Sequence, residues 1–82
     1  MAIAGLLVHA RKDHLGEVEA AIGARPGFTT YGTHEGQFIV VVAEAPAEEL
    51  EVLVEGLKNI PGVLTVYTTY VTIEDELGDA QD

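Results

Sequence analysis

The chain has 82 residues, which is enough for one small domain with one hydrophobic core. Apolar residues make up 48% and charged residues 22%, proportions typical of a folded globular protein. Fourteen acidic side chains against four basic ones give a formal net charge of −10, which disfavours nucleic acid as a partner and favours a cationic one.

Cysteine is absent, so the sequence holds no disulfide framework, no thiolate zinc site and no thiol nucleophile. The apolar stretch from Met1 to Val8 is too short to span a membrane and lacks the cationic start of a secretory signal. We therefore expect a cytoplasmic protein with no membrane insertion.

The first predicted elements are a strand and a helix. Ile3 to Ala10 is a short aliphatic run that ends at the charged cluster Arg11-Lys12-Asp13, which predicts a strand. Asp13 is placed to cap a helix whose apolar stripe is Leu15, Val18 and Ile22. Arg25-Pro26-Gly27 ends that helix.

A hairpin is predicted next. Phe28 to Thr33 is rich in β-branched and aromatic residues, and His34-Glu35-Gly36 after it is typical of a turn with a glycine at positive φ. Gln37 to Glu44 is the most apolar stretch of the chain and predicts a central strand.

The second half repeats the pattern of helix and strand. Pro46 suits the first position of a helix, and its apolar stripe is Leu50, Leu53, Val54 and Leu57. Asn59 to Gly62 breaks this helix, and Val63 to Ile73 predicts a long last strand. We expect residues 1–74 to form the domain and residues 75–82 to be a disordered acidic tail.

An internal repeat indicates the topology. Pro26-Gly27 and Pro61-Gly62 lie thirty-five positions apart, and each stands between a helix and a strand. Two right-handed βαβ halves predict an α+β, ferredoxin-like βαββαβ fold, with a four-stranded antiparallel sheet in the order four, one, three, two. Both helices then cover one face of the sheet and leave the other face open.

The open face is the candidate binding surface, because its strands are too apolar for a purely solvated side. Alternation predicts its residues, although either phase is arguable where both sets are apolar. Our prediction turns one set toward the helices, namely Leu6, Val8, Ala10, Phe38, Val40, Val42, Leu64, Val66 and Tyr70. The outward set is Leu7, His9, Thr29, Tyr31, Ile39, Val41, Thr65, Tyr67 and Thr69. A homodimer formed sheet to sheet is the alternative explanation of such a face.

Catalytic and metal-binding patterns are weak. The imidazoles of His9, His14 and His34 fall on a strand, a helix start and a turn, without metal-ligand spacing. No nucleophile has a neighbouring base, and the glycines match no phosphate-binding motif. We therefore predict no catalytic residue, no metal and no cofactor.

The sequence as a whole resembles the NapD family of chaperones for the periplasmic nitrate reductase. The resemblance covers Ile3 to about Glu76 and depends on the order and spacing of short segments more than on any one of them. These segments are Gly5-Leu6-Leu7-Val8-His9-Ala10, Pro26-Gly27, Gly36-Gln37-Phe38-Ile39-Val40-Val41-Val42 and Pro61-Gly62-Val63-Leu64-Thr65-Val66, with Tyr70 beyond.

The resemblance implies a cytoplasmic, non-catalytic protein that binds the twin-arginine signal peptide of the nitrate reductase catalytic subunit before export. Carboxylates would meet the arginines, and the open face would bury the apolar part of the signal. We expect the peptide-binding residues to be Leu7, His9, Tyr31, Ile39, Val41, Tyr67 and Thr69.

Other functions share this topology. A ligand-sensing regulatory module would normally be attached to a DNA-binding or catalytic domain, for which this chain has no room. A metal-carrying domain would need paired thiols in the first loop, which here reads Ala10-Arg11-Lys12-Asp13-His14. A small oligomeric enzyme would need a pocket enclosed by a sheet-to-sheet dimer. The sequence leaves undecided whether the protein forms a weak homodimer.

Overall fold

A computed structural model describes residues 2–73 of the chain. The strands are β1 (Ala2–Ala10), β2 (Phe28–His34), β3 (Phe38–Ala45) and β4 (Val63–Ile73), and the helices are α1 (Leu15–Gly23) and α2 (Ala47–Leu57). A single 3-10 turn, Lys12–His14, precedes α1. The predicted acidic tail, residues 75–82, lies outside the described residues.

The four strands form one antiparallel sheet in the order β2-β3-β1-β4. This order is the predicted order four, one, three, two, and the α+β fold is confirmed. α1 packs mainly against β2, and α2 packs against β3 and β4. The buried residues of both helices belong to one core cluster with the same face of the strands, so both helices cover the same side of the sheet. Strand β1 is central and pairs with β3 on one side and β4 on the other.

The start of α1 differs from the prediction. The backbone N–H of His14 donates to the Arg11 carbonyl at 2.9 Å, so the chain makes one tight turn before α1 begins. This turn moves Asp13 out of the capping position, and His14 becomes the N-cap without a capping side-chain hydrogen bond. Pro46 similarly is the N-cap of α2 and not its first helical residue.

The two Pro-Gly turns of the repeat have equivalent structures. Gly27 has a φ of 89° and Gly62 a φ of 100°, a region that favours glycine. The Gly27 carbonyl accepts a hydrogen bond from the Glu44 N–H at 2.8 Å, at the end of β3. The Gly62 carbonyl accepts one from the Arg11 N–H at 2.9 Å, just beyond β1. Each turn therefore joins an edge strand to the end of its central neighbour.

The hairpin between β2 and β3 is also as predicted. Glu35 and Gly36 both have positive φ values, 58° and 68°, as a type I′ turn requires. The Gln37 N–H donates to the His34 carbonyl at 3.2 Å and closes the turn.

The core lies between the sheet and the two helices. The predicted helical stripes supply Val18 and Ile22 from α1 and Leu50 and Leu57 from α2. The sheet supplies alternate residues of its two central strands, which are Ala2, Ala4, Leu6, Val8, Ala10, Ile39, Val41, Ala43 and Ala45, together with Phe28 of β2. The whole core is apolar over residues 2–73, with no buried polar or charged side chain.

The predicted facing is correct for β1 and wrong for β3. Ile39 and Val41 are 0% exposed and belong to the core, whereas Phe38, Val40 and Val42 are half-buried on the open side. The reason is the register, which places Leu6 opposite Val41 and Val8 opposite Ile39. Directly opposed residues of antiparallel strands point to the same face, so the β1 core residues bring Ile39 and Val41 with them.

Strand β4 departs from simple alternation at two register shifts. Gly5 pairs with Tyr70 but Leu6 pairs with Thr68, so Thr69 is an extra residue and a β-bulge forms. A Cβ built on Gly5 would overlap the Tyr70 ring, which shows that Tyr70 lies on the open face and not toward the helices. At the second shift, Leu64 is 55% exposed while Val63 packs against the core.

We expect Gly62→Ala to destabilise the protein more than Gly36→Ala. Both glycines have positive φ, which costs an alanine roughly 1 to 2 kcal/mol. At Gly62 the new Cβ would also lie 2.9 Å from Val18 Cγ2, while at Gly36 it meets nothing within 4 Å. Urea denaturation should show about 2 kcal/mol or more lost at Gly62 and about 1 kcal/mol at Gly36. Equal losses would contradict the close packing of this turn on α1.

Candidate functional site

The side of the sheet that faces away from the helices is the candidate site. Strand pairing assigns its central residues, since Leu7 lies opposite Val40 and Tyr67, and His9 lies opposite Phe38 and Thr65. Further residues in the same phase are Ile3, Gly5, Thr29, Val42, Glu44 and Thr72. No helix of residues 2–73 covers this side.

An aromatic cluster occupies one end of the open face. The His9 ring stacks on Phe38 with centroids 4.8 Å apart, and Phe38 lies 6.5 Å from Tyr67 in a tilted arrangement. His9 Nε2 is 3.2 Å from Oε1 of Gln37, a hydrogen bond that fixes the ring in the plane needed for stacking. The three rings therefore form one contiguous aromatic cluster across β3, β1 and β4.

Aliphatic and tyrosine side chains extend the surface along the strands. Leu7, Val40 and Val42 are half-buried, while Tyr67 is 52% and Tyr70 50% exposed. Apolar area of this kind, left without a covering element, marks an interaction surface on a small protein.

The predicted site residues divide into three groups. Leu7, His9 and Tyr67 lie together on the open face, and Thr69 lies at the bulge beside Gly5. Tyr31 is 66% exposed on the edge strand β2, where it and Gly32 form a bulge opposite Val40.

The third group, Ile39 and Val41, lies in the core, and their predicted place on the open face is wrong. Phe38, Val40 and Val42 take their place on that face. One sequence signal pointed to this phase: Glu44, an exposed charge at the end of the same strand, shares the alternation of Phe38, Val40 and Val42. A charged residue does not belong to the core-facing set without a partner.

Acidic groups are concentrated on the helix layer and not on the open face. Over residues 2–73, Glu44 is the one carboxylate that shares the phase of the open-face strand positions. The helices carry six, which are Glu17, Glu19, Glu48, Glu49, Glu51 and Glu55. Among the described residues, the apolar surface and most of the carboxylates therefore lie on opposite sides of the sheet.

A small polar cluster lies at the turn before α1. His14 Nδ1 is 3.1 Å from Asp13 Oδ1, and this hydrogen bond is the main reason why the pKa of the Asp13 carboxyl is lowered. Arg11 adds a weaker contact, with its Nε 3.9 Å from the same oxygen. The cluster is exposed and consists of neighbours in sequence, so it stabilises the turn locally.

Two further observations concern metals and membranes. Within residues 2–73, no three histidine, aspartate or glutamate side chains are grouped so that they could hold a metal ion. In the same range, neither helix has the length and apolar character needed to cross a membrane.

Comparison of the sequence with protein families matches residues 1–75 to the family described as NapD protein. Among curated proteins, it is similar to the Chaperone NapD of Escherichia coli K12, with 29% identity over 76 residues, covering 90% of this chain and 87% of that protein. The Chaperone NapD of Shigella flexneri matches with the same identity and coverage.

Two solved structures are similar. The solution structure of the E. coli Tat proofreading chaperone protein NapD matches with a TM-score of 0.73 and 28% identity, covering 98% of this chain and 85% of that one. The crystal structure of a hypothetical protein from Pyrococcus horikoshii matches with a TM-score of 0.81 and 18% identity, covering 96% and 98%. The second likeness concerns the fold alone.

We expect two neighbouring valines to respond differently to truncation. Val41→Ala removes buried methyl groups from the core and should cost about 1.5 to 3 kcal/mol of unfolding free energy. Val40→Ala makes the same chemical change on the half-buried open side and should cost less than about 1 kcal/mol. Urea denaturation of both variants measures the difference. A larger loss at Val40 would mean that the facing of β3 is reversed.

Proposed function

This chain belongs to the NapD family of chaperones, and on that premise we propose that it is a cytoplasmic chaperone for the periplasmic nitrate reductase. In this proposal it binds the twin-arginine signal peptide of the catalytic subunit, and the open face of the sheet receives the apolar stretch of that peptide. The observation that supports it most directly is the uncovered apolar surface around Leu7, Phe38 and Tyr67. Family membership implies a binding protein and not an enzyme.

The open face suits the apolar half of such a signal. Each large apolar side chain that is fully desolvated against Leu7, Val40 or Phe38 contributes about 1.5 to 3 kcal/mol. The aromatic cluster adds ring area that can pack against a helical or extended peptide. Three or four such contacts give a gross gain of about 5 to 12 kcal/mol, from which the association and ordering costs of the peptide are subtracted.

The charge of the protein suits the cationic half. A formal net charge of −10 attracts a peptide that carries two adjacent arginines and speeds their encounter. Carboxylates bind guanidinium groups through paired, charge-assisted hydrogen bonds, each worth about 1.5 to 3 kcal/mol in sheltered positions and less on an exposed rim.

The mechanism that we propose is competition. A signal peptide held by the chaperone is hidden from the export translocase, so the enzyme stays in the cytoplasm until its molybdenum cofactor and iron-sulfur cluster are in place. The chaperone supplies only a binding surface in this scheme and carries no cofactor of its own.

The ligand-sensing alternative predicts a different partner for the same fold. A small molecule that raises the melting temperature in a thermal-shift screen, in a protein that does not bind the signal peptide, would favour it. Self-association through the open face would compete with the peptide for Leu7 and Tyr67, so a weak homodimer should dissociate when peptide is added.

The proposal predicts that Tyr67→Ser weakens binding of the signal peptide. Tyr67 is 52% exposed, so its loss should leave folding intact while removing ring area from the aromatic cluster of the binding surface. Isothermal titration with a synthetic twin-arginine signal peptide should show Kd raised at least about tenfold, or roughly 1.4 kcal/mol.

Val52→Ser is the matched control for this experiment. Val52 is an apolar side chain that is even more exposed, at 70%, but it lies on α2, on the helix side of the sheet. The affinity of the Val52→Ser variant for the peptide should stay within about twofold of the wild-type affinity. If the two variants bind the peptide with the same affinity, the peptide does not use the open face. If the wild type does not bind the peptide, the proposed function is wrong.

A further inference from the structure

A groove separates α2 from β4 on the helix side of the sheet. It has a volume of about 370 Å³, which is within the range of sites that hold small ligands or several side chains. Its walls and floor come from three elements and are Ala2 and Ala4 of β1, Leu50 and Val54 of α2, and Thr68 and Val71 of β4. Val71 is 53% exposed although it belongs to the helix-facing side of β4.

The groove exists because the first half of β1 has small side chains. Ala2 and Ala4 present only methyl groups toward α2, whereas Leu6 and Val8 fill the same layer further along the strand. The helix cannot close the remaining gap, because Leu50 and Leu57 already hold it against the core. The floor is therefore apolar and buried, and the groove opens to solvent along β4, where Thr68 and Val71 are exposed.

Two carboxylates border this apolar floor. Glu51 and Glu55 line the groove and are four residues apart on α2, which makes them neighbours on one helix surface. Glu55 forms an ion pair with Lys58, in which Lys58 Nζ lies 3.3 Å from Glu55 Oε2. Both side chains of this pair are exposed to solvent. An arriving guanidinium can displace such a pair, since exposed ion pairs contribute little.

We propose that this groove binds the arginine-bearing end of the signal peptide, with Glu51 and Glu55 as the partners of the arginines. The inference rests on the proposed function and assigns the carboxylates that it requires. Within residues 2–73 the open-face strand positions hold a single carboxylate, Glu44, whereas the groove holds two side by side. The groove combines an apolar floor with a paired acidic rim, which is the chemistry that a cationic segment next to apolar residues needs.

One peptide can reach both surfaces by passing around the outer edge of β4. Tyr70 lies on the open face and Val71, the next residue, lines the groove on the other side. An extended chain advances about 3.3 Å per residue, so three or four residues cross a layer of roughly 10 Å. The arginines and the apolar stretch of the signal would thus bind on opposite sides of the same edge strand.

A second copy of this chain fits the groove poorly. The chain carries fourteen acidic residues against four basic ones, so an acidic rim repels most of its surface. A cationic peptide has the complementary charge and is the occupant to which the proposal commits.

The test is a double-mutant cycle in which variants of the protein are combined with variants of the peptide. The Kd of each pair is measured by calorimetry on the full chain. The protein variants are the wild type, Glu51→Gln/Glu55→Gln, and Glu17→Gln/Glu19→Gln, which makes the same change in net charge on α1. The peptides are the twin-arginine signal and a version with both arginines replaced by glutamine. Far-UV circular dichroism and urea denaturation check that each variant is folded.

We expect Glu51→Gln/Glu55→Gln to weaken binding of the arginine peptide at least tenfold and to leave binding of the glutamine peptide within twofold. The α1 variant should stay within twofold for both peptides. Equal weakening by the two variants would show that only net charge matters and would overturn the assignment, as would no weakening by either.

The two proposals fail in different ways. If the wild type binds the signal peptide but Glu51 and Glu55 show no coupling to its arginines, the groove is wrong while the proposed function stands. If the wild type does not bind, both are wrong. Sedimentation equilibrium tests whether a second copy of the chain occupies the groove instead. If Glu51→Gln/Glu55→Gln strengthens a dimer, the groove belongs to a second copy and the proposal is overturned.

Discussion

The pairing of β1 with its two neighbours is the constraint on which the rest of the structure depends. As the central strand, β1 places Leu6 and Val8 toward the helices, and antiparallel pairing then forces Val41 and Ile39 to the same side. The alternate residues Leu7 and His9 must lie on the other side together with Val40 and Phe38. One register therefore decides both what forms the core and what remains for binding.

The small residues at the start of β1 shape both sides of the sheet. On the helix side, Ala2 and Ala4 leave space that becomes the groove beside α2. On the open side, Gly5 has no side chain, and the Tyr70 ring occupies the space that a Cβ would need. The bulge at Thr69 brings Tyr70 into this position. The same short segment thus creates a cavity on one face and extends an aromatic surface on the other.

The separation of apolar area from acidic charge has a consequence for recognition. Burial on the open face depends on area removed from water, so salt does not screen it, whereas the attraction of the carboxylates on exposed α2 is weakened by salt. A partner that carries both a cationic and an apolar segment satisfies both surfaces, and a partner that has only one of them gains only part of the binding energy. Discrimination between peptides can therefore arise without a deep pocket.

The order of elements, their approximate bounds and the sheet topology were determined by the sequence, because aliphatic runs, the helical stripe of Leu50 to Leu57 and two Pro-Gly turns are local signals. The facing of β1 was also readable, since His9 interrupts an otherwise apolar strand. The facing of β3 was decided by tertiary pairing, because Phe38 to Val42 is apolar in both phases and the charge of Glu44 at the strand end is the one local sign of the correct phase. The position of Tyr70 and the groove beside α2 likewise depend on a bulge and on packing between distant segments, which no local pattern encodes.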